Sequence, residues 1–287
     1  MTTAYLDRLA ARSGAVGTVL CVGLDPDPAA LPPGFRPGLA GVEAFAKLIV
    51  EAAGPYAAAI KPNLAFFEAF GAEGIAALER IRALVPAGLP VVVDAKRGDI
   101  GTTAARQAEA LFDRLGADAV TVNPYLGAAA VAPLLERTDR YAYLLCRTSN
   151  PGAGELQDLV VRGDPLTGAP DEPLYARVAR LAAGWGPGGT VGLVVGATAP
   201  AELRQIRAIA PGLGFLVPGI GAQGGELDPV LEAGPATSPP AGGKPGAGLL
   251  VNVSRGLAAA ALAPGRDPGE ALAEAARGWA ARLPVLG

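Results

Sequence analysis

Eight short apolar runs, each followed by a stretch with helical spacing, restrict what this chain can fold into more than any other feature. The runs fall at 18–23, 57–61, 90–94, 119–123, 142–147, 190–196, 214–218 and 248–253. Between them, helical patterns cover 42–53, 75–84, 103–115, 128–136, 174–183, 200–209 and, briefly, 226–232; a last one covers 268–282. In 103–115 the buried stripe reads Ala104, Ala108, Leu111, Phe112 and Leu115. Pro200 and Pro268 suit the first turn of their helices, where a missing N–H costs no hydrogen bond. Eight β-α units in succession predict an α/β fold, a closed (β/α)8 barrel of parallel strands, read as a single domain over 1–287. A doubly wound open sheet is the alternative. No Gly-x-Gly-x-x-Gly follows the first run, which weakens a dinucleotide-binding form of it.

Composition narrows the chemistry. With 51% hydrophobic and 18% charged residues the chain can build a sizeable core. A net charge of -3 argues against a nucleic-acid surface and leaves room for a local basic pocket. There is no histidine, which removes Ser-His-Asp triads, Cys-His pairs and nearly all zinc sites. Acid-base work falls to Lys, Asp, Glu or Tyr. Cys21 and Cys146 lie inside apolar runs and read as buried free thiols. The first twelve residues lack the apolar stretch of a signal peptide, and no run has membrane-spanning character. The expectation is a soluble, cytoplasmic protein.

Two connections are longer than a barrel needs. Residues 149–172 follow the fifth run, are polar and Gly/Pro-punctuated, and at the catalytic face would serve as a lid. Residues 234–248, Gly- and Pro-rich, precede the eighth run on the opposite face and read as a flexible insertion without chemistry.

In such barrels the chemistry lies at the C-terminal strand ends. The third run ends Val93-Asp94-Ala95-Lys96-Arg97-Gly98-Asp99. Side chains alternate along a strand, so Asp94 and Lys96 share a face and Arg97 points outward. Burying such a pair costs several kcal/mol per ion unless it is well satisfied. It is either a structural ion pair or part of a catalytic site. Asp25 and Lys61, at the first and second ends, are rim salt-bridge partners or the other half of an alternating carboxylate–ammonium array with Asp94 and Lys96. Ser149 and Gln223 would supply neutral hydrogen bonds, and Tyr125 suits packing or contact equally. The seventh end, Pro218-Gly219-Ile220-Gly221-Ala222-Gln223-Gly224-Gly225, and the eighth, with Arg255, carry glycines and a guanidinium suited to phosphate. The bland alternative is a tight turn plus a surface arginine.

Together these segments resemble the orotidine 5′-phosphate decarboxylase family, its longer bacterial subgroup in particular. The residues that carry the resemblance are Asp94-x-Lys96-x-x-Asp99 with Thr103 downstream, 20–26, Lys61 to Asn63, 147–152, Pro218 to Gly225 and 252–256. The resemblance implies a cofactor-free, metal-free loss of CO₂ from orotidine 5′-phosphate to give uridine 5′-phosphate, the last step of de novo UMP synthesis. It makes Lys96 the proton donor to C6 and places Asp94 beside the substrate carboxylate. Asp25 and the catalytic Lys61 hold the ribose hydroxyls and orient the charged array, and Ser149 contacts the pyrimidine. Gln223 and Arg255 take the phosphate, with Asn63, Pro218 and Gly224 in the substrate-binding segments. It also implies a homodimer in which Asp99 and Thr103 complete the partner's site. Two rivals stand beside it. One is a metal-dependent sugar-phosphate lyase of the same superfamily, whose carboxylates bind Mg²⁺. The other is a non-catalytic uridine-nucleotide-binding protein.

Overall fold

The eight apolar runs form eight parallel strands in a computed structural model that describes residues 4–163, 168, 170–221 and 223–286. They are β1 Leu20–Leu24, β2 Ala59–Pro62, β3 Val92–Arg97, β4 Ala119–Val122, β5 Tyr141–Arg147, β6 Val191–Val195, β7 Gly214–Val217 and β8 Leu249–Val253. The hydrogen-bonded order is β2-β1-β8-β7-β6-β5-β4-β3. Parallel bridges Ile60↔Val91 and Asn63↔Asp94 join the two ends of that order and all but close the barrel. An open sheet is thereby excluded.

The expected helices are present, with ends shifted by a few residues. After the opening helix α1, Tyr5–Val16, come α2 Leu39–Ala53, α3 Gly71–Leu84, α4 Gly101–Ala108, α5 Ala128–Leu135, α6 Leu174–Ala182, α7 Pro200–Ile209, α8 Leu227–Ala233 and α9 Pro268–Arg282. The helix expected over 103–115 widens into a π-helical turn at Glu109–Arg114, yet its stripe of Ala104, Ala108, Leu111, Phe112 and Leu115 is buried as anticipated.

α1 was not read from the sequence. Its Tyr5, Leu6 and Leu9 are buried against the N-terminal end of the barrel, in one cluster with Cys21, Tyr141, Tyr143, Val194 and Leu250. The hydroxyls of Tyr5 and Tyr143 lie 3.1 Å apart, and that of Tyr141 accepts the Gly214 N–H at 3.0 Å. Buried phenols therefore keep partners inside an otherwise apolar floor. Cys21 and Cys146 are free and buried as expected, and burial pushes the Cys21 thiol up to about 12.

The 234–248 segment differs from a loose insertion. Ala236, Ala241 and Ala247 are buried in the same floor cluster. The Ala236 and Ala241 N–H groups donate to Ala247 and Gly212 carbonyls at 3.0 and 3.2 Å, and Lys244 pairs with Asp7 of α1. Small side chains let this Gly/Pro-rich stretch lie flat on the barrel end, so its composition reflects close packing. Arg207 of α7 pins it from behind. This arginine is 6% exposed and donates to the carbonyls of Ala210, Leu213 and Gly234 at 2.9, 2.7 and 2.5 Å. Its guanidinium carbon lies 3.6 Å from the Phe215 ring centre. Burial pulls Arg207 down to about 9, against an opposing effect of Tyr141. Replacing Arg207 by Met should orphan these carbonyls and cost about 3 kcal/mol of stability. A lowered urea midpoint at unchanged slope checks this, with activity per folded molecule expected to stay at the wild-type level.

Among the described residues no helix is long and apolar enough to cross a membrane.

Candidate active site

The C-terminal strand ends open into a cavity of about 530 Å³, a size typical of small-molecule sites. Asp25, Lys61, Asp94, Lys96, Ser149, Pro218, Gln223 and Arg255, all singled out above, line it. Asp94, within β3, lies between the two lysines. Lys61 Nζ is 3.0 Å from Asp94 Oδ2, and Lys96 Nζ is 2.6 Å from Oδ1. Burial alone would lower the Lys61 ammonium, but Asp94 and Asp25 outweigh it and hold Lys61 above the ordinary lysine value. Burial alone would raise the Asp94 carboxyl; the two lysines outweigh it and keep Asp94 well below the usual carboxylate range. Lys61 and Asp94 are thus both charged throughout the neutral range.

The two lysines differ in access. The Lys61 side chain is 5% exposed, whereas that of Lys96 is 52% exposed and reaches into the cavity. Lys96 is also the one of the two whose backbone is left-handed, at φ 47°. β3 slips register against β4 between Val93 and Arg97, and this bulge ends the strand. The same-face relation of Asp94 and Lys96 survives the bulge, and Arg97 turns away to pair with Glu68.

Opposite this array, Ser149 Oγ donates to Gln223 Oε1 at 3.1 Å, joining the loops after β5 and β7. That approach needs Gly219, which has φ 102°; a Cβ there would lie 3.0 Å from Ser149 Cβ and 3.3 Å from Gln223 Oε1. Arg255 lines the same side and has no carboxylate partner among the described residues. Asp25 Oδ1 and Asn252 Oδ1 are buried and lack a hydrogen-bond partner among the described residues, although both side chains line the cavity. Polar atoms left so are costly unless a ligand satisfies them.

The long connection after β5 is ordered where described. It carries a helical turn at Gly154–Gln157 and pairs Val160–Val161 with Glu172–Pro173. Gln157 accepts the Thr148 N–H at 2.9 Å and donates to Thr148 Oγ1 at 2.8 Å, and Arg147 Nε lies 3.1 Å from Asp158 Oδ1. Residues 164–167 and 169 of the expected lid, and Ala222 of the seventh loop, lie outside the described residues.

Four of the expected residues do not line this cavity. Asn63 Oδ1 accepts the Ala65 N–H at 3.3 Å, so its side chain serves the local turn. Asp99 Oδ1 accepts the Ile100 N–H at 2.7 Å, and Thr103 is exposed on α4. Gly224 donates its N–H to Gly221 at 2.9 Å within the seventh loop. Sequence reasoning missed Thr121 and Gln157, which do line it. Thr121 faces inward two residues beyond Ala119 on β4, so strand parity was an available signal.

Among the described residues, no group of three His, Cys, Asp or Glu side chains is arranged to hold a metal ion.

Comparison with known proteins gives a consistent result. The profile of the "Orotidine 5'-phosphate decarboxylase / HUMPS family" matches residues 18–271. An orotidine 5′-phosphate decarboxylase of Roseiflexus sp. (strain RS-1) is 46% identical over 92% of this chain and 90% of its own length. One from Halorubrum lacusprofundi is 46% identical over 97% of this chain and 96% of its own. Among solved structures, the OMP decarboxylase of Leishmania donovani superposes with TM-score 0.78 at 44% identity, over 95% of both chains. A putative orotidine-monophosphate-decarboxylase from Toxoplasma gondii superposes with TM-score 0.83 at 38% identity, over 97% of this chain and 94% of that one. With its barrel, its Lys-Asp-Lys array and these relatives in agreement along nearly the whole length, the chain belongs to the orotidine 5′-phosphate decarboxylase family of carboxy-lyases.

Proposed function

We propose that the cavity binds orotidine 5′-phosphate and releases uridine 5′-phosphate and CO₂ without a cofactor, with Lys96 as proton donor. The C6–carboxylate bond breaks, its electron pair stays on C6, CO₂ departs, and C6 takes a proton from Lys96 Nζ. The observation that carries this reading is the accessible Lys96 ammonium, held 2.6 Å from Asp94 at the cavity wall while Lys61 is buried behind the same carboxylate. A C6 carbanion is very unstable in water, and a fixed ammonium is worth most in a preorganised, water-poor site. Asp94 lies beside the substrate carboxylate, and Asp25 and Lys61 take the ribose hydroxyls. Ser149 meets the pyrimidine. Gln223 and Arg255 take the phosphate, whose remote binding energy serves the chemical step. Pro218 lines the cavity at the substrate, and Asn63 and Gly224 lie in the segments that bind it.

The working unit in this reading is a cytoplasmic homodimer. Asp99 and Thr103 do not line the cavity of their own protomer, and Ile100, next to Asp99 in the chain, is 67% exposed. An apolar side chain so exposed next to two unused polar residues suits a subunit contact that delivers Asp99 and Thr103 to the partner's site.

The test is direct. Purified protein should consume orotidine 5′-phosphate, followed by its absorbance, equally well with and without a chelator. Loss of turnover with chelator would favour the metal-dependent sugar-phosphate lyase, and no turnover at all would favour a nucleotide-binding protein.

A further inference from the structure

Thr121 occupies the inner face of β4 below Lys96 and is 2% exposed. In the paired strands, Val93 matches Val120 and Arg97 matches Val122, so four steps along β3 span two along β4. A bulge of this kind strands backbone donors that the ladder can no longer receive. Here the donors are the N–H groups of Ala95 and Lys96. Both go to one atom, Thr121 Oγ1, at 3.1 and 3.0 Å. A hydroxyl has two acceptor positions and one donor. With the first two filled from the backbone, its proton goes to Asp94 Oδ1 at 2.8 Å. That is the oxygen that also binds Lys96 Nζ.

This one hydroxyl therefore ties three things together. It fills the gap in the ladder, it supports the left-handed backbone of Lys96, and it fixes the rotation of the Asp94 carboxylate. A left-handed lysine is strained by roughly 1 kcal/mol or more and persists only where its surroundings determine it. The bland account is that threonine is a common strand residue whose hydroxyl has found partners. It does not explain why all three bonds go to consecutive residues, Asp94, Ala95 and Lys96, at the reacting end of the array.

We propose that Thr121 is a positioning residue for the Asp94–Lys96 pair, its hydroxyl holding the β3 bulge that aims the Lys96 ammonium into the cavity. This rests on the reading of Lys96 as proton donor. Valine keeps the shape of threonine and removes the hydroxyl; serine keeps the hydroxyl and removes the methyl group.

The test compares Thr121→Val, Thr121→Ser and Lys96→Ala with the wild type by kcat, KM for orotidine 5′-phosphate, Kd for uridine 5′-phosphate and Tm. Thr121→Val should lose about a hundredfold in kcat, the scale of an ångström-sized misplacement of a reacting group. Its KM and its product Kd should stay within about threefold of wild type, because phosphate and ribose contacts lie on other strands. Thr121→Ser should keep kcat within about fivefold of wild type, because it retains all three bonds. Should Thr121→Val not fold, Thr121→Cys, with a thiol that bonds weakly, is read in the same way. Unchanged kcat in the folded hydroxyl-free variant overturns the proposal. So does an equal loss in Thr121→Ser, which would make packing the cause, and so does a parallel loss of product binding, which would indicate general collapse of the pocket. Turnover retained by Lys96→Ala defeats the proton-donor reading itself, and that result is separate from the behaviour of Thr121.

Discussion

Replacing Lys96 by alanine is expected to lower kcat by about ten-thousandfold or more while uridine 5′-phosphate still binds within about tenfold of its wild-type affinity. The two effects separate because of how the array is built. Asp94 keeps Lys61 on Oδ2 and the Thr121 hydroxyl on Oδ1 when Lys96 is gone, so the carboxylate is not stranded. Lys96 is the more exposed lysine, and its removal leaves no buried charge unpaired. The product has no departing carboxylate and needs no proton, so in the proposed binding mode its affinity rests on the loops around Arg255 and Gln223. Turnover within tenfold of wild type would remove Lys96 from the proton-transfer step. Equal loss of product binding would show that Lys96 serves the pocket as a whole.

The second large effect concerns Asp99 and rests on the proposed homodimer. Asp99→Ala homodimers should be nearly inactive, as should Lys96→Ala homodimers, yet a mixture of the two should regain activity. In a hybrid, one site combines both lesions and the other combines an intact Lys96 with an intact partner Asp99. With random exchange in an equal mixture, roughly a quarter of the wild-type sites should return. The expectation follows from the placement of Asp99 outside its own cavity, with its carboxylate folded back on the Ile100 N–H. Activity that stays at the level of the parents, after subunit exchange is confirmed by mass, would assign Asp99 to its own protomer.

The parts of this molecule that were legible in the sequence are those set by periodicity. Eight β-branched or apolar runs could be read as strands because each is short, apolar and followed by helical spacing. Asp25, Lys61, Asp94 and Lys96 stood out because charges are costly at the ends of such runs. What escaped notice depends on contacts distant in sequence. The Tyr5, Leu6 and Leu9 face of α1 has meaning only against Tyr141 and Tyr143, more than a hundred residues away. The 234–248 stretch looked loose because glycine and proline also suit close packing on a barrel end. Parity turns Thr121 inward, but a threonine in an apolar strand reads as a strand former. Its partners are created by a bulge, and no periodicity announces a bulge. Gln157 was hidden in a segment whose composition signalled only a loop.

The floor of the barrel bears on how the reaction can be repeated. Below the Lys61–Asp94–Lys96 array, the interior is filled by Cys21, Val92, Tyr143, Leu216 and Leu250, and then by Tyr5 and the 234–248 segment. The phenols there are bonded to one another or to the backbone, and burial raises the Tyr143 and Tyr141 hydroxyls above their ordinary range. They are poor relays for a proton at neutral pH. In the proposed reaction, a lysine that has given its proton to C6 would then be recharged from the mouth, through the opening by which product leaves. Reloading the acid and emptying the site would share one route, so each cycle would be reset by the departure of its own product.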